Sequence, residues 1–99
     1  MRVFAVITPK PKHVNDAVQA VQSIVKRTLA EPGCHRFDLF VSPEGGKLFL
    51  DEEWTDADAL AFHHEQSYTR EVFAAYESWL LEPPVLYELA EPGIAFTGA

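Results

Sequence analysis

Apolar residues recur along this chain at two spacings, and the switches between them lay out its elements. Arg2 to Thr8 is a run rich in Val, Phe and Ile, closed by Pro9 and Pro11, which cannot continue a sheet ladder. It reads as a strand. Between His13 and Ala30 the period changes. Val14, Ala17, Val18, Val21, Ile24, Val25 and Leu29 fall at helical spacing, with Asn15, Asp16, Gln19, Gln22, Ser23 and Lys26 on the wet side. Glu31-Pro32-Gly33 ends this helix, glycine being suited to the left-handed exit. Cys34 to Ser42 and Lys47 to Trp54 read as strands joined by Pro43-Glu44-Gly45-Gly46, a hairpin signal. Thr55-Asp56-Ala57-Asp58 has the form of a capping box, with Thr55 placed to cap a second helix that carries Ala59, Leu60, Phe62 and His63. The pattern resets at Gln66-Ser67. Tyr68, Val72, Phe73, Tyr76, Trp79 and Leu80 then carry a further helix to Pro83-Pro84, and Val85 to Leu89 reads as a last short strand.

The order β-α-β-β-α(α)-β predicts an α+β fold of the ferredoxin-like, split βαβ kind. A sheet with one wet face alternates cleanly between apolar and polar residues. Here Val3, Ala5 and Ile7 lie opposite Phe4 and Val6, while Phe37, Leu39 and Val41 lie opposite Phe40. Leu48, Leu50 and Trp54 lie opposite Phe49. The helices can cover one face only. A second copy of the chain is the economical cover for the other, so a homodimer is expected.

At 99 residues the chain is long enough for one core, expected over residues 1–91, with a flexible Gly-bearing tail over 92–99. Its 8 basic residues against 15 acidic ones, a net −7, argue against nucleic acid or an anionic membrane surface as partner. No apolar run is long enough to span a bilayer, and the apolar start is too short for a secretory signal. The single cysteine, Cys34, fits a reducing, cytoplasmic setting and reads as a small packed thiol.

Histidine is where chemistry gathers. His13 and His35 read as surface or rim residues. His63 and His64 are neighbours about 100° apart on a helix, so they do not chelate together, and no other spacing here offers a metal site. His63 shares a helix side with Ala59, Leu60 and Phe62 and leans toward the sheet, where it either fills a core edge or serves a pocket. Trp54, at the end of its strand, and Tyr68, at the start of the last helix, are placed to line the same space. Glu52 and Glu53 alternate along a strand, point opposite ways and cannot act as a pair in one site.

With these residues placed, the chain resembles the antibiotic biosynthesis monooxygenase family of dimeric α+β barrels. The carrying segments are Glu31-Pro32-Gly33-Cys34, Asp51-Glu52-Glu53-Trp54, Ala59-Leu60-Ala61-Phe62-His63 and the Leu80 to Tyr87 stretch. The resemblance implies a homodimer formed sheet to sheet and a pocket between sheet and helices, with Trp54 and His63 at the family's pocket positions. It also implies chemistry without a metal or organic cofactor on a small aromatic or quinol-like substrate. Two departures stand out. Quinol-type members carry a second His five residues after the first, where this chain has Tyr68. Haem-degrading members carry an Asn in the first strand, which this chain lacks, and haem degradation is disfavoured. Replacing imidazole by phenol moves the reference pKa from roughly 6.5 to roughly 10, so the second group is not a base near neutral pH.

The reading is a cofactor-independent monooxygenase. His63 accepts or relays the phenolic proton, Trp54 stacks on the ring and Tyr68 orients it, with Phe62, Phe73 and His64 as the substrate-binding walls. Two alternatives stay open. One is an isomerase or tautomerase of a small metabolite, such as an autoinducer-2 product, using the same His63. The other is a non-catalytic small-molecule-binding module, since this fold hosts many functions.

Overall fold

The computed structural model describes residues 1–92. Eight elements follow one another: β1 (Arg2–Ile7), a 3-10 turn (Pro11–His13), α1 (Val14–Leu29), β2 (Cys34–Val41), β3 (Leu48–Trp54), α2 (Ala57–Glu65), α3 (Ser67–Trp79) and β4 (Val85–Leu89). The tail expected to be flexible lies, from residue 93 on, outside the described residues.

The strands form one sheet in the order β2-β3-β1-β4, each neighbouring pair antiparallel. β1 and β2 therefore run the same way with β3 between them, joined by α1. This is the split βαβ arrangement of a ferredoxin-like fold. Register decides the faces. Ala5 and Leu39 both lie opposite Leu50, and Val3 and Phe37 both lie opposite Glu52. These residues share the inner face with Ile7, Leu48 and Trp54, against which α1 buries Ala17, Val21 and Ile24. Thr28, not Leu29, continues the buried stripe of α1. Positions 17, 21, 24 and 28 keep the helical period, and Leu29 turns outward, 48% exposed.

The outer face carries no helix. Phe4 stacks on Phe49 with ring centroids 5.6 Å apart, and Phe40 is 54% exposed beside them. Around them lie the ion pairs Arg2–Asp51 and Arg36–Asp38.

Three local features position the site. Gly33 has φ +86°, and a Cβ there would meet Ala59 Cβ at 2.7 Å, so only glycine lets the β2 entrance come this close to α2. Asp56, not Thr55, caps α2. Its carboxylate accepts from Ala59 N at 2.9 Å, while the Thr55 hydroxyl bonds His35 Nε2 at 2.7 Å. The capping box expected around Thr55 is thus corrected by one position. Finally, Gln66 takes an extended conformation between α2 and α3 and redirects the chain. The helices leave β4 uncovered, so even its inward residue Leu86 is exposed. Among the described residues no helix is long and apolar enough to cross a membrane.

Candidate functional site

Burial turns His63 from a candidate into the hub of a polar cluster. It is 4% exposed, on the sheet side of α2. Its ring lies 4.9 Å from that of Trp54 and 5.4 Å from that of Phe37. Its Nδ1 is 3.0 Å from Glu31 Oε2, and the Tyr68 hydroxyl donates to that same carboxylate oxygen. Glu31 is itself buried, and its Oε1 has no partner among the described residues. A carboxylate oxygen only accepts, so Nδ1 carries the proton of a neutral His63 and Nε2 is left as the basic nitrogen.

The local sequence explains why these groups meet. Glu31 follows the end of α1, and the close Gly33–Ala59 approach lays α2 across that turn. Burial, then the bond to Glu31, pushes the Tyr68 phenol up to about 12, so it stays a neutral donor. Arg27 stacks on the outside of its ring, 4.6 Å from the centroid. Cys34 stays a thiol, pushed up to about 11 by burial and then by the nearby Glu31.

Two spaces adjoin the cluster. A small inner cavity of about 40 Å³ lies between the sheet and α3, with His63, Glu52, Thr69 and Tyr76 among its lining residues. It has room for water-sized guests, and an aromatic ring does not fit. Outside it, an open groove of about 870 Å³ runs between α3, the Leu80–Pro84 segment and β4, the strand that the helices leave bare. His64, Phe73, Tyr76, Pro84 and Leu86 line both spaces and form the boundary between them. At that boundary His64 meets the edge of Phe73, with ring centroids 5.7 Å apart. Burial and then the neighbouring His63 hold the His64 pKa below its ordinary value, so it is a neutral wall at pH 7.

The residues expected to line a pocket therefore divide. His63, His64 and Phe73 do so. Trp54 does not stand at the mouth of an open space. It is 1% exposed, sealed behind His63 and Phe37. Tyr68 lines neither space and faces Glu31 from the far side. Phe62 also lines neither and points outward, 42% exposed, because a helix that turns residue 63 to the sheet turns residue 62 away.

Two acids escaped the sequence reading. Glu31 gave no signal beyond its place in the Glu-Pro-Gly-Cys turn. Glu52 did give one, as the lone acid alternating with Leu48, Leu50 and Trp54 on an apolar face. Its Oε1 accepts from Trp54 Nε1 at 3.0 Å, and burial pushes its pKa up to about 7. Among the described residues no group of three or more metal-ligating side chains comes together.

The profile of the family described as "Antibiotic biosynthesis monooxygenase" matches residues 1–76. This chain belongs to that family. Within and around it, the chain is 34% identical over 83 residues to the protein of Bacillus subtilis (strain 168) named "Putative monooxygenase YcnE", covering 82% of this chain and 85% of that one. The structure of Rv0793 from Mycobacterium tuberculosis superposes with a TM-score of 0.85 at 28% identity, covering 95% of this chain and 96% of that one. PA3566 from Pseudomonas aeruginosa gives 0.80 at 25%, covering 90% and 93%. The antibiotic biosynthesis monooxygenase match ends inside α3, so the groove-forming Leu80–Leu89 segment lies beyond it.

Proposed function

We propose that this chain is a cofactor-independent monooxygenase acting on a small quinol or phenolic substrate. One observation carries the reading: a buried carboxylate, Glu31, fixes the tautomer of a buried histidine that lines a small cavity adjoining an aromatic-edged groove. The substrate ring lies in the outer groove against Phe73 and His64, with its hydroxyl turned toward the inner cavity. His63 Nε2 takes the hydroxyl proton, and Glu31 stabilises the imidazolium that forms. The electron-rich anion then reduces dioxygen directly. A dihydroxyarene plus dioxygen gives a hydroxyquinone plus water, so dioxygen is the only oxidant required. Trp54 and Tyr68 act from behind, Trp54 by packing on His63 and Tyr68 by sharing Glu31. Family membership and the name of the Bacillus subtilis relative support the reaction class.

The working form in this reading is a homodimer closed sheet to sheet. Phe4, Phe40 and Phe49 on the bare outer face supply its apolar centre. Phe49→Glu should shift sedimentation from dimer to monomer, and an unshifted boundary refutes that interface.

The activity test is oxygen uptake with a panel of dihydroxynaphthalenes. Wild-type protein should accelerate uptake and His63→Ala should abolish the acceleration. Equal uptake by both proteins removes His63 from the chemistry. The isomerase and binding-module alternatives predict no oxygen uptake at all.

A further inference from the structure

The inner face carries one acid that the reaction above leaves unused. Glu52 sits on β3 opposite Val3 of β1 and Phe37 of β2 and is 3% exposed. A bare carboxylate in such a layer is costly, so buried acids usually come with a cation. Among the described residues the ion pairs are Arg2–Asp51, His13–Asp16, Arg36–Asp38 and His63–Glu31, and none includes Glu52. The titratable groups around it are Cys34 from β2, His63 and His64 from α2, Tyr76 from α3 and Asp51 on its own strand. None of these is a permanent cation. The neutral acid is the form this environment favours, and its pKa of about 7 keeps it within reach of either state.

Geometry says which oxygen holds the proton. Trp54 Nε1–H donates to Oε1 at 3.0 Å, so Oε1 is an acceptor and the acid proton belongs on Oε2. Glu52 lines the inner cavity and Trp54 does not, which leaves Oε2 for the cavity that His63 also lines. A carboxylic acid and a tautomer-fixed imidazole thus border one small space beside the groove.

We propose that Glu52 is the general acid of this site, donating its Oε2 proton to the outer oxygen of a substrate hydroperoxide whose ring stays in the outer groove and whose –OOH group alone reaches into the inner cavity. The proposal rests on the monooxygenase reading. In the first half-reaction His63 Nε2 takes the substrate hydroxyl proton, the ring passes two electrons to dioxygen, a C–O bond forms and His63 returns its proton to the new hydroperoxide. In the second, Glu52 protonates the outer oxygen and the O–O bond breaks, its electron pair leaving with that oxygen as water. The C–H pair on the same carbon becomes the second C–O bond, and the proton so released restores Glu52. Atoms and electrons balance to one hydroxyquinone and one water per dioxygen.

Glu52→Gln tests this, because the amide keeps the volume and an acceptor for Trp54 while losing the acid proton. With a dihydroxynaphthalene, kcat should fall by about 10²–10⁴ while KM stays within about threefold. The alkaline limb of the kcat profile near the Glu52 pKa should vanish, and peroxide should appear in place of water. Wild-type kcat and pH profile in the variant overturn the proposal. A second readout needs no turnover. 4-Nitrophenol changes absorbance on ionisation, and wild-type protein should bind its anion about tenfold more tightly than Glu52→Gln does, because Oε2–H donates to the phenolate. Equal affinities overturn the proposal. Oxygen uptake by wild type with an unaffected variant removes Glu52 alone. No uptake by wild type, together with the expected difference in 4-nitrophenol affinity, removes the monooxygenase reading and keeps the acid in the site.

Discussion

On the outer face of the sheet the acids Asp38 and Asp51 pair with Arg36 and Arg2 within reach of water, whereas Glu52 on the inner face and Glu31 in the turn after α1 are buried and, among the described residues, form no ion pair with arginine or lysine. Both faces also carry aromatic residues. Outside, Phe4 and Phe49 stack on each other. Inside, Phe37, Trp54 and His63 pack into one cluster. The difference lies in solvent. Water screens the outer charges and makes each pair dispensable, while the inner acids settle their energy through a few fixed hydrogen bonds. The inner face is therefore where protonation and structure are coupled.

Four changes probe this contrast, beginning with the largest expected effect. Glu31→Ala leaves His63 Nδ1 and the Tyr68 hydroxyl buried without their acceptor and should cost about 3–5 kcal/mol of unfolding free energy in urea titration. A loss below about 1 kcal/mol would place this cluster on a par with surface pairs.

Glu52 supplies the next test, in pH. Folding raises its pKa from 4.5 to about 7, so between those values the native state holds a proton that the unfolded chain has released. Its contribution to stability is whole below the lower value and is lost as pH rises through the upper one, up to about 3 kcal/mol. The unfolding free energy of wild type minus that of Glu52→Gln should fall across this window. A flat difference would show that the carboxyl is not held neutral by the fold.

Gly33→Ala forces a side chain into φ +86° and against Ala59. It should lower stability by about 2 kcal/mol in thermal unfolding and weaken 4-nitrophenol binding by displacing α2. Unchanged stability and binding together would separate the turn from the site. The smallest effect is expected at Arg2→Ala on the outer face, where the unfolding midpoint should barely move and the remaining difference should disappear in high salt.

The sheet was legible because faces follow from local alternation. Val3, Ala5 and Ile7, and likewise Leu48, Leu50 and Trp54, share one face as their spacing requires, and the helices settle on that face. The site was legible only in part. His63 followed from helical periodicity, yet the same reasoning put Phe62 beside it, because an all-apolar stretch such as Ala59 to Phe62 does not say which side of a short helix is buried. Trp54 belonged to the right neighbourhood but ended sealed, since alternation assigns a face and says nothing of depth. Glu52 is visible in the sequence as an acid out of pattern, but alternation with Glu53 separates the two acids and names no partner for it.

By itself the sequence determined the element order, the two-faced sheet and the placing of His63 toward the core, because each depends on spacing within a few residues. Only the tertiary structure decided that Glu31 meets His63 across 32 residues and Tyr68 across 37. That meeting depends on where α1 ends, on Gly33 admitting α2 and on the break at Gln66, three backbone events whose combined geometry no local period encodes. The open groove was decided the same way: three helices cover β1, β2 and β3, and what they leave bare at β4 is set by their packing against one another.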